Sequence, residues 1–274
     1  MLLFLTTEEK EKVQRKGYMF EHLLCLYSMA SYKTALYNNN FPVYLSGYNE
    51  ADIILFGLEN KQEDGLECVQ EMLRFPVEKL NIVTPKPLTD LSDVETSSID
   101  WDYHINVEQF DINLRGNGYQ NLRYSVHRAD KMKYHMKLNR EFTRNHIYIM
   151  ARHMARYSLD VWDFEELLSL ERFFEEHNHG LIMEAHHEDK LVGFDVMDFL
   201  EDNKIMVVPL GVYLEMPSVA DFLMYENIKY AKRKGYKWLD IGLACRNIGL
   251  QNFKKKWFAE PKYPLFVQTI KISK

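Results

Sequence analysis

Glycine is scarce in this 274-residue chain, at 12 residues, and proline and cysteine are scarcer still, at eight and three. Each shortage excludes something. Few glycines leave few places where a backbone can wrap closely around a phosphate, because such approaches usually need a missing Cβ. Cys25, Cys68 and Cys245 are odd in number and never in CxxC spacing, so neither a disulfide framework nor a zinc knuckle is expected. His177-x-His179 and His186-His187 come without an HExxH or His/Cys framework, and no metal site is expected from them. No apolar run approaches the ~18 residues of a membrane span. The apolar opening, Met1 to Leu5, stops at Thr6 and runs into Glu8, Glu9 and Lys10, without the basic start or length of a signal peptide. Reduced thiols and a cytoplasmic location are the expectation.

What is present is ordinary for a globular protein: 46% hydrophobic and 27% charged residues exclude global disorder and fibrous architectures. At ~150 residues per domain, the length suits two domains or one large one. The net charge of -6 hides an asymmetry. Residues 115–156 and residues 229–262 each hold ten Lys/Arg against two acidic residues, a local +8 in each case. Such segments either form an anion-binding face or are simply solvated helix surfaces.

Residues 85–100, PKPLTDLSDVETSSID, carry a loop composition and suggest a boundary between an N-terminal unit (1–100) and a C-terminal one (101–274). Upstream, short strands are expected around Gly47-Tyr48-Asn49, then a helical face through Leu66, Val69 and Leu73, then a strand at Leu80–Val83. Downstream, an apolar stripe over 164–174 predicts a helix, followed by strands at 181–185, 191–199 and 204–214 separated by short turns. Pro217 fits a helix start and Gly235 a helix stop. A strand at 237–241, a short helix near 247–257 and a strand at 265–272 follow. The order implies an α+β fold with a mostly antiparallel mixed sheet flanked by helices.

That order resembles the core of the GNAT acyltransferase superfamily. The segment GYKWLDIGLACRNIGLQNFKKKWFAEPKYPLFVQ is similar to the end of the GNAT-type domain in Fem-type peptidoglycan aminoacyltransferases and phosphatidylglycerol lysyltransferases. There a strand ending in Asp-x-Gly, here Asp240-Ile-Gly242, precedes a helix with a Phe-Lys-x-Lys-aromatic run, here Phe253 to Trp257. Residues 101–128 resemble the segment before that domain. Both families place two GNAT-like units in tandem, so the resemblance implies tandem units here. It also implies an acyltransferase that moves an activated acyl or aminoacyl group onto the amine of a small molecule, lipid or peptide.

One departure from the superfamily bears on the donor. Acetyl-CoA users carry a Gln/Arg-x-x-Gly-x-Gly/Ala loop after the central strand, whose backbone N–H groups cradle pyrophosphate at a helix N-terminus. The matching stretch, Gly211-Val-Tyr-Leu-Glu-Met-Pro-Ser-Val219, has only Gly211 and Ser218 as small residues. The donor carrier is therefore expected to be a tRNA or an acyl-carrier protein ahead of coenzyme A, with no tightly bound cofactor. An acetyl-CoA-dependent N-acetyltransferase is the alternative, and a non-catalytic RNA- or protein-binding protein of the same fold is a second.

Acyl transfer needs positioning, removal of a proton and an oxyanion partner. Tyr213 and Glu215 leave the central strand two residues apart, hence on one face. Glu215 is the expected base, directly or through water, and Tyr213 orients the donor or protonates the leaving oxygen. The plain reading is a tyrosine at the core edge and a glutamate capping the helix at Pro217. Asp240 either anchors the acceptor amine or pairs with Arg246. Arg246, Asn247 and Lys254 are the expected donor-binding residues, against a reading of Lys254–Lys256 as solvated surface. Cys245 offers an acyl-cysteine route but has no histidine beside it in sequence, so packing is the better explanation. Residues 118–137 interleave Tyr119, Tyr124 and Tyr134 with basic residues, fitting either RNA stacking or an amphipathic helix.

Overall fold

Alternating apolar and polar residues build strands, and in this protein they join edge to edge into one twelve-stranded sheet. The structure, a computed structural model, describes residues 2–4, 33–37, 41–45, 50–54, 62–89, 91, 94–157, 170–171, 174, 180–244 and 247–272. The N-terminal part contributes β1 (Leu2–Phe4), β2 (Lys33–Tyr37), β3 (Phe41–Leu45), β4 (Glu50–Ile54), α1 (Gln62–Met72) and β5 (Lys79–Thr84). Next come β6 (Val94–Asn106), α2 (Gln120–Lys131), β7 (His135–Asn139), α3 (Arg144–Tyr157), β8 (Leu181–His187), β9 (Lys190–Leu200) and β10 (Ile205–Tyr213). The chain closes with α4 (Val219–Lys234), β11 (Trp238–Leu243), α5 (Ile248–Lys256) and β12 (Glu260–Lys271). The spatial order is β1-β2-β3-β4-β5-β12-β6-β11-β10-β9-β8-β7. Among the described residues, only β4–β5 and β10–β11 are parallel pairs. The expected α+β class with a mostly antiparallel sheet is thus what the chain forms.

Two expectations change. The halves share one continuous sheet instead of forming two separate ones, because β12 lies between β5 and β6 and pairs with both. The expected loop over 85–100 ends early: β6 begins at Val94 and runs straight through the expected boundary at 100/101. Its Thr, Ser and Asp residues read as loop, yet the backbone of Val94–Ile99 pairs with Phe266–Ile270. Pairing with a long partner strand outweighs local propensity. β12 starts at Glu260 instead of Leu265 and takes in Pro261 and Pro264. These prolines are tolerated because residues before Phe266 pair with β6 alone, leaving one edge without a ladder to serve. Of the expected helix at 164–174, only Leu170, Glu171 and Phe174 fall within the described residues.

Helices cover the sheet through separate apolar clusters. One centres on α4 and the strands beneath it, with Met183, Met197, Met206, Leu223, Ile228, Leu239 and Trp257 fully or almost fully buried. A second lies under α3, and a third packs Val69 and Met72 of α1 onto Val43, Leu80 and Ile82. α4 starts after the N-cap Ser218, two residues later than Pro217 suggested. It stops where expected, with Gly235 at φ 80°, a left-handed conformation that favours glycine. Tyr236 N–H then closes the helix end on Ala231 C=O at 3.0 Å.

Trp257 ties the last helix to this core. It is 0% exposed, stacks on Phe110 with ring centroids 6.4 Å apart, and its Nε1–H donates to Asp221 at 3.2 Å. Trp257→Ala leaves a large cavity and is expected to cost about 3–5 kcal/mol, read as a lower denaturant midpoint with an unchanged slope.

Candidate functional site

The parallel pair β10–β11 is short. Ile205, Met206 and Val207 pair with Trp238, Leu239 and Asp240, and there the pairing stops. β10 continues to Tyr213 alongside β9, and β11 continues to Leu243, so the two strands part and leave an opening. The sequence supplies a cause. Pro209 has no N–H for a ladder, and the register against β9 shifts between Val207 and Leu210.

Beyond the shift, Leu214 N–H bonds Val192 C=O at 2.8 Å, so strand alternation turns the N–H and C=O of Gly211 and Tyr213 toward the opening. Those of Tyr213 meet His153 Nδ1, at 3.3 Å from N and 3.1 Å from O. Gly211 is exposed. A Cβ on Gly211 would lie 2.6 Å from Asp195 Oδ1, so only glycine allows this approach. Asp195 Oδ2 accepts from Asn227 Nδ2 at 2.5 Å. Burial pushes the Asp195 carboxyl up to about 7, against the Asn227 hydrogen bond that favours its charged form. The Tyr213 phenol is likewise raised well above its ordinary value, by burial first, then by the hydrogen-bonded Tyr157 and by Asp195. It is a proton donor at any physiological pH.

α3 delivers His153 and Tyr157 to this place and is pinned at both ends. At its start, Thr143 N–H donates to His146 Nδ1 at 2.9 Å, which leaves Nε2 to donate to buried Glu184 at 3.0 Å. Glu184 also accepts from His186 Nε2 at 2.7 Å and from Asn139 at 3.0 Å. Burial alone would raise its carboxyl, but these hydrogen bonds outweigh it and bring Glu184 down to about 2.

Of the six residues expected from sequence, the five within the described residues do not converge. Tyr213 lies at the opening, and Glu215 stands beside it, 81% exposed and paired with Arg156 at 3.3 Å. Asn247 is the N-cap of α5, its side chain accepting from Leu250 N–H at 3.0 Å. Lys254 is neither solvated nor free to meet a donor. It is 3% exposed, and its Nζ donates to the carbonyls of Ile241, Gly242 and Leu243 at 2.6–2.7 Å. Arg246 and Cys245 lie outside the described residues. Asp240 is 0% exposed and faces the sheet side opposite α4, with Asp102 and His104, both 1% exposed. A carboxylate so enclosed is a poor anchor for an incoming amine.

Sequence reasoning missed Asp195, Asn227, His153, Asp102 and His104. Asp195 carried a readable signal, a carboxylate in the middle of the otherwise apolar run Leu191–Val196. Of the three tyrosines in 118–137, Tyr119 packs on Phe110 and Phe258, Tyr134 is buried and donates to Pro217 C=O at 2.8 Å, and only Tyr124 is solvent-facing. No helix among the described residues is long and apolar enough to cross a membrane.

With this geometry in view, the fold finds its class. No family model matches the chain, and no curated protein matches it in sequence. Solved structures do match. The C-terminal domain of a putative lysylphosphatidylglycerol synthetase from Agrobacterium fabrum is similar at a TM-score of 0.68 and 11% identity, covering 96% of this chain and 91% of that one. L-PGS from Bacillus licheniformis is similar at 0.63 and 14% identity, covering 99% and 94%. A tandem GNAT protein from the clavulanic acid biosynthesis pathway is similar at 0.62 and 9% identity, covering 100% and 99%. At these identities the likeness is one of fold: the whole chain shares the architecture of these structures.

Two measurements check the positioning groups. Lys254→Ala strands three carbonyls without their donor and is expected to cost about 3 kcal/mol or more in denaturant unfolding. Glu184 titrates lower folded than unfolded, so its stabilisation is full above pH ~4.5 and fades as pH falls toward ~2. Glu184→Gln should therefore flatten the loss of melting temperature between those pH values.

Proposed function

We propose that this protein transfers an activated acyl or aminoacyl group, carried on a tRNA or an acyl-carrier protein, onto the amine of a small molecule, lipid or peptide. The observation that carries the reading is the opening between β10 and β11, where exposed Gly211 turns a backbone N–H outward next to the protonated phenol of Tyr213. In this reading Gly211 N–H binds the carbonyl oxygen as negative charge develops on it. Tyr213 donates its proton to the leaving atom, the ribose oxygen of a tRNA ester or the sulfur of a carrier-protein thioester, backed by Tyr157. Glu215 takes the proton from the attacking amine, directly or through water, while Asp195, poised near neutrality, is the buried alternative base. An N-terminal and a C-terminal GNAT-like half would share one sheet in this reading, with β6 spanning the boundary expected between units 1–100 and 101–274.

Two features support a polyanionic carrier over coenzyme A. The first turn of α4, where a pyrophosphate would sit, carries Asp221, whose carboxylate already holds Lys256 and Trp257 Nε1. A negative charge at that helix start opposes a phosphate. In addition, Arg144, Tyr148, Arg152 and Arg156 recur every four residues along the exposed side of α3, about 6 Å apart, and end beside Tyr213. Such a stripe suits phosphates and stacked bases.

The test is a transfer assay with aminoacylated tRNA and with acetyl-CoA, together with tRNA binding as a function of salt. Expected are binding that weakens steeply with salt and transfer from tRNA or carrier protein. Tyr213→Phe should lower turnover about 10²-fold or more without changing donor binding. Comparing Glu215→Gln with Asp195→Asn identifies the base. Thermal stabilisation and turnover with acetyl-CoA alone would replace this reading with an N-acetyltransferase. Nucleic-acid or protein binding with no transfer from any donor would leave a non-catalytic binding protein.

A further inference from the structure

Below the point where β10 and β11 part, three buried polar side chains meet. Asp240 on β11 lies directly across the ladder from His104 on β6, and Asp102 is two residues along on the same face. Leu239, Ile241, Tyr103 and Ile105 point the other way, into the core under α4. His104 Nε2 is 3.5 Å from Asp102 Oδ2 and 3.7 Å from Asp240 Oδ2. One donor atom from each residue lies within 4.8 Å of the others. Among the described residues, neither Asp102 oxygen, neither His104 nitrogen and not Asp240 Oδ2 has a hydrogen bond of normal geometry; what Asp102 has within reach is the Asp240 carboxyl and Tyr103 N–H. Asp240 Oδ1 alone is satisfied, by Gly242 N–H at 2.8 Å.

We propose that Asp102, His104 and Asp240 bind one divalent first-row transition ion, zinc or manganese in class, which fastens β6 to β11 beneath the opening. The spacing is that of a coordination shell. Donors about 2.0–2.1 Å from a tetrahedral ion stand about 3.4 Å from one another, close to the two separations here and too long for hydrogen bonds. The donor set is one imidazole and two carboxylates, which favours an ion that accepts nitrogen over magnesium or calcium. The strands preset it: facing positions on antiparallel β6 and β11 fix the side chains before any ion arrives. Unbridged, the arrangement is costly, because two carboxylates and an imidazole are enclosed together without hydrogen bonds of normal geometry to one another. Nearby cations act on them only through space. Lys254 Nζ is held by three backbone carbonyls, and Lys262 Nζ lies 4.3 Å from the Trp238 ring centroid; neither donates to these oxygens. Enclosed as it is, the ion is structural, and substrate does not reach it. The site rests on residues independent of Tyr213, Gly211 and Asp195.

The experiment uses the full chain, purified untagged and without chelator. Elemental analysis should find about one zinc or manganese per chain. Stripping the ion with a chelator should lower the melting temperature by roughly 5 °C or more, and adding back zinc or manganese should restore it. His104→Gln should lose both the ion and the response. Should that variant not fold, cobalt added to stripped wild-type protein decides, by visible absorption of an imidazole-ligated, low-coordinate ion. The proposal is overturned by wild-type protein that holds no stoichiometric ion and whose stripped form does not respond to zinc, manganese or cobalt. It is equally overturned by a folded His104→Gln that binds the ion as well as wild type.

Discussion

A strand that stops pairing exposes a row of backbone donors and acceptors, and the architecture around β10 and β11 is organised by that constraint. Pairing ends after Val207 and Asp240. On the β11 side, Lys254 reaches back from α5 and bonds the carbonyls of residues 241 to 243. On the β10 side, His153 reaches in from α3 to the backbone of Tyr213. Each open edge is thus closed by one basic side chain from the helix beyond it. Gly211 is the exposed residue between them, and this is why the reading of function rests there. Buried backbone groups demand partners, so the group presented to the opening stands out against its neighbours.

The same constraint explains how the basic residues are used. The two +8 segments suggested a broad anion-binding face, yet much of that charge is spent on the protein's own carbonyls and carboxylates. Arg123 bonds the carbonyls of Leu114 and Gly116, Lys232 those of Val107, Glu108 and Phe110, and Lys256 pairs with Asp221. Net charge by segment cannot distinguish an anchored ammonium from a free one. The basic residues best aimed at the opening are those of the exposed Arg144–Tyr148–Arg152–Arg156 stripe, on a helix whose far end holds His153 and Tyr157 against Tyr213.

Local pattern was legible in the sequence and long-range pairing was not. The strands at 181–185, 191–199 and 204–214 and the glycine stop at 235 follow from periodicity and turn chemistry, and they appear where expected. β6 was hidden because its ladder partner lies about 170 residues away, and nothing local compensates for a Ser- and Asp-rich composition. Tyr213 was recognised as a strand-end residue, but its neighbours Asp195 and Asn227 come from a strand and a helix 32 residues apart. Lys254 was misread although a signal existed: it precedes Trp257 by three residues, and positions three apart share a helix face. A tryptophan in the core therefore predicts a buried lysine beside it. Asp102 and His104 sat in one quoted segment and Asp240 in another, and only the β6–β11 register brings them together.

Glycine scarcity, read at first as an argument about phosphate, acquires a more specific meaning. The loop from Leu214 to Ser218 has no glycine, and it is held in place from outside, with Tyr134 donating to Pro217 C=O. The following helix opens with Asp221, already engaged by Lys256 and Trp257. A helix N-terminus attracts an anion only while its positive end is uncompensated, and here a side-chain carboxylate occupies the first turn. A glycine is kept instead at 211, where any side chain would strike Asp195. The chain thus places its small residue where a carbonyl oxygen could approach the backbone and not where a pyrophosphate would lie. In the proposed transfer, that exchange suits a donor gripped by an outer surface, such as the exposed basic stripe of α3.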